Sequence, residues 1–200
     1  MSSEAVSASA GKLKYFMITA FVMALDQFTK YIVSTRMQEG DEFDVIRNFF
    51  AISYTKNSGI AFGMFNSGNL RWLFVVISVV AVLVVLVYIL RTSAANRLLL
   101  WSLALLAAGI CGNLIDRVRI GRVIDFFLLH YKDNQFPVFN IADTAISIGA
   151  ALMAIELFIA PQPERVGEET RAESPLVDLE KPETRSQEPE VRGQNLGSAE

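Results

Sequence analysis

The sequence predicts an all-α membrane protein, with four transmembrane helices and a small β-sheet at the membrane surface between the first and second. Three observations predict it. Hydrophobic residues make up 52% of the 200-residue chain and mean hydropathy is +0.36, high for a water-soluble globule. The apolar residues are bunched into four runs, and a polar, turn-rich stretch too hydrophilic to cross a bilayer separates the first two.

The first run, Leu13 to Val33, follows Lys12 and Lys14. Those flanks resemble the start of a signal peptide, but "ALDQFTKYIV" supplies no small-residue cleavage site, so a retained anchor is expected. Residues 34–69 hold two short strand patterns, "FDVI" (43–46) and "FFAISYT" (49–55). The turn-rich "KNSGIAFGMFNSGN" follows them, so a surface sheet over about 40–68 is expected. The second run, Leu70 to Leu90, is the strongest: from Trp72 nineteen residues pass with Ser78 as the only clearly polar side chain. The third covers 98–115 and the fourth about 136–160.

Residues 161–200 are a different material. They contain five of the six prolines, ten acids and five bases, which predicts a disordered acidic tail after a membrane domain of residues 1–160. The net charge of -3 therefore describes mainly this tail. No basic stripe with interleaved aromatics points to nucleic acid.

Four spans place both termini on one side. Basic residues are more numerous in the two long loops, at Arg36, Arg47, Lys56, Arg117, Arg119, Arg122 and Lys132, than at Lys12, Lys14, Arg91 and Arg97 on the opposite side. The positive-inside rule by count would thus put the long loops in the cytoplasm.

Elimination narrows the chemistry. A single cysteine, Cys111, excludes disulfides and zinc-ribbon spacing, and reads as a small core residue. The only histidine, His130, excludes H-E-x-x-H zinc hydrolysis and a Ser-His triad, and reads as an interfacial loop residue. "SYTK" (53–56) matches S-x-x-K but lacks the companion motifs of serine-lysine enzymes. No cofactor or metal is implied. Acids, amides and a guanidinium remain: Asp26, Asn57, Asn113, Asp116, Arg117, Asp125, Asn140 and Asp143.

These residues are patterned. Asn140, Asp143 and Ser147 fall at i, i+3 and i+7, one stripe of a helix; Asn113 and Asp116 are i, i+3 neighbours; Asp26 and Lys30 are i, i+4 partners. Alternating span directions bring all of them to the membrane end shared by the two long loops. Intramembrane carboxylates cost several kcal/mol unless paired or hydrated, so their usual reason is functional.

Two acids at one depth suggest an aspartic dyad, one member protonated and one ionised, which can activate a water against a peptide carbonyl. Asn57, Asn113 and Asn140 can donate to a substrate carbonyl without adding charge. Bland readings stand beside this one. Asp125 can pair with Arg117, Arg119 or Arg122 and staple a loop, and Asp26 with Lys30 reads better as a structural pair than a catalytic one. An ion-coupled membrane carrier also uses intramembrane Asp and Asn, but no inverted repeat or matching broken helices accompany them. A non-enzymatic scaffold that works through the acidic tail is a third class.

Five blocks, "DQFTK" (26–30), "NSGIAFG" (57–63), "GNLIDR" (112–117), "GRVIDFF" (121–127) and "FNIADTAISIG" (139–149), resemble in order the signature blocks of the lipoprotein signal peptidase (signal peptidase II) family. The resemblance runs from about Leu13 to Ala160. It implies a bacterial inner-membrane aspartic protease with four helices and a periplasmic sheet, or cradle. It further implies cytoplasmic termini, against the count of basic residues. Its substrates would be diacylglyceryl-modified prolipoproteins, cut on the N-terminal side of the lipidated cysteine, and globomycin-type inhibitors would block it.

By match, Asp125 and Asp143 are the catalytic pair. Asn57, Gly59, Asn113, Arg117 and Asn140 line the site, and Asp26, Lys30 and Asp116 support it. Ile60 stands where the family usually has alanine, in a loop that approaches substrate, and the acidic tail has no family counterpart.

Overall fold

The computed structural model describes residues 3–59, 69–132 and 134–159. Along the chain they form α1 (Ser3–Arg36), β1 (Glu42–Ile46), β2 (Phe50–Asn57), α2 (Asn69–Arg91), α3 (Arg97–Ile120), β3 (Val123–Tyr131), β4 (Asn134–Gln135) and α4 (Ile141–Ile159). Each helix contains a stretch long and apolar enough to span a bilayer: Gly11–Arg36, Arg71–Arg91, Arg97–Ile120 and Ile141–Ile159. The chain is a multi-pass membrane protein. The tail from 161 and Ile60 both lie outside the described residues.

The expected helices are present, with three shifted boundaries: α1 already begins at Ser3, ahead of the apolar run that starts at Leu13. α3 continues past 115 to Ile120 because "DRVRI" keeps helical geometry until Gly121 takes a left-handed φ of 77° and returns its N–H to the Arg117 carbonyl. α4 begins at Ile141 rather than near 136. Pro137 disfavours helix at the residue before it, and the aromatic segment instead pairs with β3, Phe139 exchanging backbone hydrogen bonds with Phe127.

The sheet is also larger than expected between α1 and α2. It has four antiparallel strands in the order β1-β2-β3-β4, and half of them come from the connection between α3 and α4. β3 was not legible as a strand because its first four residues, Val123 to Phe126, are all buried, so the outward polar alternation that marks a half-exposed strand is missing. The β2–β3 register pairs Thr55 with Asp125 and Asn57 with Val123, which carries Asn57 to the edge of the third-to-fourth helix connection.

α3 packs against all three other helices. On one side Leu100, Leu103, Ala104 and Ala107 meet Tyr15 of α1 and Val85 and Ile89 of α2. On the other, small residues let α4 approach closely, as is usual where lipid removes the hydrophobic drive for helix association. A Cβ at Gly109 would collide with the Ala142 carbonyl oxygen, and one at Gly149 would lie 2.9 Å from the Ser102 carbonyl oxygen. A second cluster, Val33, Tyr54, Ile124 and Phe126, seats the sheet on the end of α1.

Gly109→Ala is expected to push α4 away from α3 and to cost about 1–3 kcal/mol. A lowered thermal midpoint of the detergent-solubilised protein measures the effect, and an unchanged midpoint would contradict the close approach.

Candidate active site

At the sheet end of the bundle, five polar groups from four elements converge. α3 contributes Asn113, β2 contributes Asn57, β3 contributes Asp125, and the start of α4 contributes Asn140 and Asp143. Asn140 is the hub. Its carbonyl Oδ1 accepts the Asp143 backbone N–H at 2.9 Å, and its own backbone N–H donates to Asp143 Oδ2 at 3.2 Å. This reciprocal cap starts α4 and places the Asp143 carboxylate in the first turn.

The same asparagine donates from Nδ2 to Asp125 Oδ1 at 2.7 Å. One side chain therefore binds both acids. Asn57 Nδ2 donates to the other oxygen of Asp125 at 2.9 Å, and Asn113 Nδ2 donates to Asp143 Oδ1 at 2.8 Å. Both carboxylates are thus held by neutral amides, and no arginine pairs with Asp125 among the described residues, which removes the loop-staple reading of that acid.

Asp125 is 2% exposed and Asn140 fully buried, while Asp143 is half-buried. Burial pushes the Asp125 carboxyl up to about 6, and the nearby Asp143 charge adds to the rise; hydrogen bonds from Asn57 and Asn140 oppose it.

Asn57 is itself positioned by a tight turn in which its Oδ1 accepts the Gly59 N–H at 2.7 Å. Gly59 has φ 77°, and a Cβ there would lie 3.5 Å from the Phe74 ring of α2, so this turn favours glycine on backbone grounds. Arg117 lies over the same Phe74 ring at 5.7 Å and within electrostatic reach of Asp143, Asp125 and Asp116.

Behind the two acids lies a charged cluster. Lys30 bridges Asp26 and Asp116, each at 2.9 Å, and donates to Asn113 Oδ1 at 3.0 Å. Asp26 accepts the Ala142 N–H of α4 at 2.9 Å, and Asp116 accepts the Ile124 N–H of β3 at 3.2 Å. These pairs therefore tie α1, α3, α4 and the sheet together one layer beneath the acids, and neither Asp26 nor Asp116 bonds directly to Asp125 or Asp143.

The structure thus brings Asp26, Lys30, Asn57, Gly59, Asn113, Asp116, Arg117, Asp125, Asn140 and Asp143 to one end of the bundle, whereas Ser147 is exposed on α4. Asn140 is the cap of α4 and not a member of its stripe, because the helix starts one residue later. His130 bonds Asp44 at 3.1 Å across the sheet, and Lys56 pairs with Glu39 at 3.0 Å, so Lys56 is engaged away from Ser53. Among the described residues, no group of three or more His, Cys, Asp or Glu is placed to hold a metal ion.

Sequence reasoning missed three contributors. Gln27 donates to Asp26, to Asp116 and to the Gly112 carbonyl. Its polar side chain in an apolar run, beside Asp26, was the available signal. Arg71 donates to the Arg117 and Val118 carbonyls, capping the end of α3, and Phe74 supplies the ring beneath Arg117; neither has a local signature.

Residues 18–159 match the family model described as signal peptidase (SPase) II. The lipoprotein signal peptidase of Symbiobacterium thermophilum is 39% identical over 137 residues, 68% of this chain and 89% of that protein. The lipoprotein signal peptidase of Geobacillus thermodenitrificans is 39% identical over 154 residues, 77% of this chain and 95% of the relative. A solved bacterial membrane enzyme superposes with a TM-score of 0.67 at 34% identity, covering 78% of this chain and 93% of its own.

Proposed function

Because the chain belongs to the signal peptidase II family and is a membrane peptidase, we propose that it removes signal peptides from diacylglyceryl-modified prolipoproteins, with Asp125 and Asp143 as the catalytic pair. The observation that carries the pair is the double engagement of Asn140, which bonds Asp125 through Nδ2 and Asp143 through Oδ1 and the backbone.

The two carboxyls share one proton. The ionised member takes a proton from a water as that water adds to the scissile carbonyl carbon. The protonated member donates to the carbonyl oxygen, and the proton gained from water passes to the leaving amine as the C–N bond breaks. Asp125 is the member whose burial favours the protonated form. Asn57, Asn113 and Asn140 hold the acids with neutral donors, so the pair keeps its charge difference, and Arg117 supplies positive potential for the oxyanion.

A diacylglyceryl cysteine is anchored in the bilayer, so its scissile bond lies near the interface. Acids at the end of a helical bundle stand at that depth. The site faces the periplasm of a bacterial inner membrane, with both termini cytoplasmic, and globomycin-type inhibitors are expected to block the enzyme.

A gel-shift cleavage assay in detergent tests the substrate class. The lipidated prolipoprotein is expected to be cut and its unlipidated twin left intact; equal cleavage of both, or of neither, would refute it. Deleting residues 162–200 is expected to leave the rate within about twofold, since no step uses the tail, whereas a scaffold working through the tail would lose function.

The pair also sets a pH dependence. A raised Asp125 carboxyl is protonated below about 6 and ionised above it, so kcat/KM is expected to fall as pH rises through that region, with the apparent value belonging to the pair. Asn57→Ala removes a donor to the ionised form, which raises the Asp125 value further. The alkaline limb of the pH profile should therefore move to higher pH in this variant. A limb that moves to lower pH would contradict the assignment.

A further inference from the structure

We propose that Lys30 is a positioning residue for the catalytic pair: its ammonium, clamped between Asp26 and Asp116, orients the Asn113 amide so that Nδ2 faces Asp143. The inference rests on the aspartate-pair reading above.

An asparagine side chain is nearly symmetric in shape, so which end faces a carboxylate is decided by its other neighbours. On the far side of Asn113 stand two donors, Lys30 Nζ at 3.0 Å and Asn140 Nδ2 at 3.2 Å, and both point at Oδ1. Reversing the amide would set an NH2 group against those two donors. It would also aim a carbonyl oxygen at Asp143 Oδ1, which the amide now reaches at 2.8 Å.

Asn140 cannot provide this orientation alone, because its Nδ2 is shared with Asp125 Oδ1 and the Ile124 carbonyl. Lys30 can. Its three N–H donors are matched by three acceptors, Asp26, Asp116 and Asn113, and the residue is 1% exposed, so solvent is kept from competing. The two carboxylates fix the ammonium in place and are in turn fastened to the Ala142 and Ile124 backbone N–H groups, which belong to the elements that carry Asp143 and Asp125. The cation thus reaches the acids through Asn113 without touching them.

The test is a double-mutant cycle on full-length protein in detergent with lipidated prolipoprotein, using Lys30→Met, Asn113→Ala and the double variant. kcat is expressed per folded molecule, with the folded fraction taken from thermal melts. Misorienting one donor to a reacting carboxylate is expected to lower kcat about 100-fold while KM changes little. If Lys30 acts through Asn113, the double variant is no slower than Asn113→Ala alone. Losses that multiply would make Lys30 a structural residue and overturn the proposal. Should Lys30→Met not fold, the same cycle is run with Asp26→Asn and Asp116→Asn added, which leaves the buried cluster neutral.

Asn113→Asp gives a second readout. A carboxyl there donates to Asp143 only when protonated, so activity relative to wild type at the same pH should recover as pH is lowered; a ratio that stays flat would overturn the proposal. The underlying reading is checked in the same experiment. If wild type leaves the lipidated substrate uncut, or Asp125→Asn cuts it normally, the aspartate pair itself fails. If those controls behave and only the cycle multiplies, the Lys30 inference alone fails.

Discussion

Replacing Asp143 by asparagine is expected to reduce cleavage of a lipidated prolipoprotein by about 10³-fold or more, the scale lost when a positioned acid–base group is removed. The same holds for Asp125→Asn, and the double variant should be little worse than either, because a pair sharing one proton works as a unit. The amide preserves shape and one acceptor oxygen. At Asp143 two donors now meet the carboxylate, Asn113 Nδ2 and the Asn140 N–H. Losing a good acceptor for one of them costs about 1 kcal/mol, too little to unfold a bundle whose remaining contacts are untouched. Activity and stability therefore separate, and a thermal melt beside the cleavage assay distinguishes lost chemistry from lost fold. Cleavage that persisted in both single variants would mean that the two acids are structural.

The largest expected stability effect lies one layer deeper. Lys30→Met leaves Asp26 and Asp116, which are 0% and 3% exposed, facing each other without their shared cation. Breaking a buried ion pair by removing one partner costs about 3–5 kcal/mol, above what most single substitutions cost. The thermal midpoint should fall accordingly. Adding Asp26→Asn and Asp116→Asn should restore much of the loss, since the cost comes from uncompensated charge and not from missing contact area. A midpoint unchanged by Lys30→Met would mean that the three charges do not meet as described.

Much of this protein was legible residue by residue. The nineteen-residue stretch from Trp72 has one polar side chain, and no water-exposed helix has that composition. Asp26 and Lys30 announced their pairing by i, i+4 spacing, and the pair forms at 2.9 Å. Asp125 and Asp143 stood out because an acid in an apolar run is costly. Other features were hidden. β3 lies buried from Val123 to Phe126, so its sequence reads as an apolar run that periodicity cannot assign. Asn140 looked like one position of a helical stripe, whereas Pro137 and the Phe127–Phe139 pairing delay α4 and make it the cap. Ser147 shared that stripe by arithmetic and lies exposed, outside the polar cluster.

By itself, the sequence determined the membrane class, the four helices and the set of polar residues worth attention. These depend on composition and short spacing, and bilayer thickness and helical pitch convert them directly into structure. Only the tertiary structure decided how those residues divide into two layers, with amides on the acids and Lys30, Asp26 and Asp116 beneath. It also decided which end of each amide faces which carboxylate, and that Gln27, Arg71 and Phe74 take part. The physical reason is that hydrogen bonds such as Asn57 to Asp125 and Asn113 to Asp143 join residues 68 and 30 positions apart. Contacts of that range exist only once the β2–β3 register and the close α3–α4 packing have brought four separate elements to one end of the bundle.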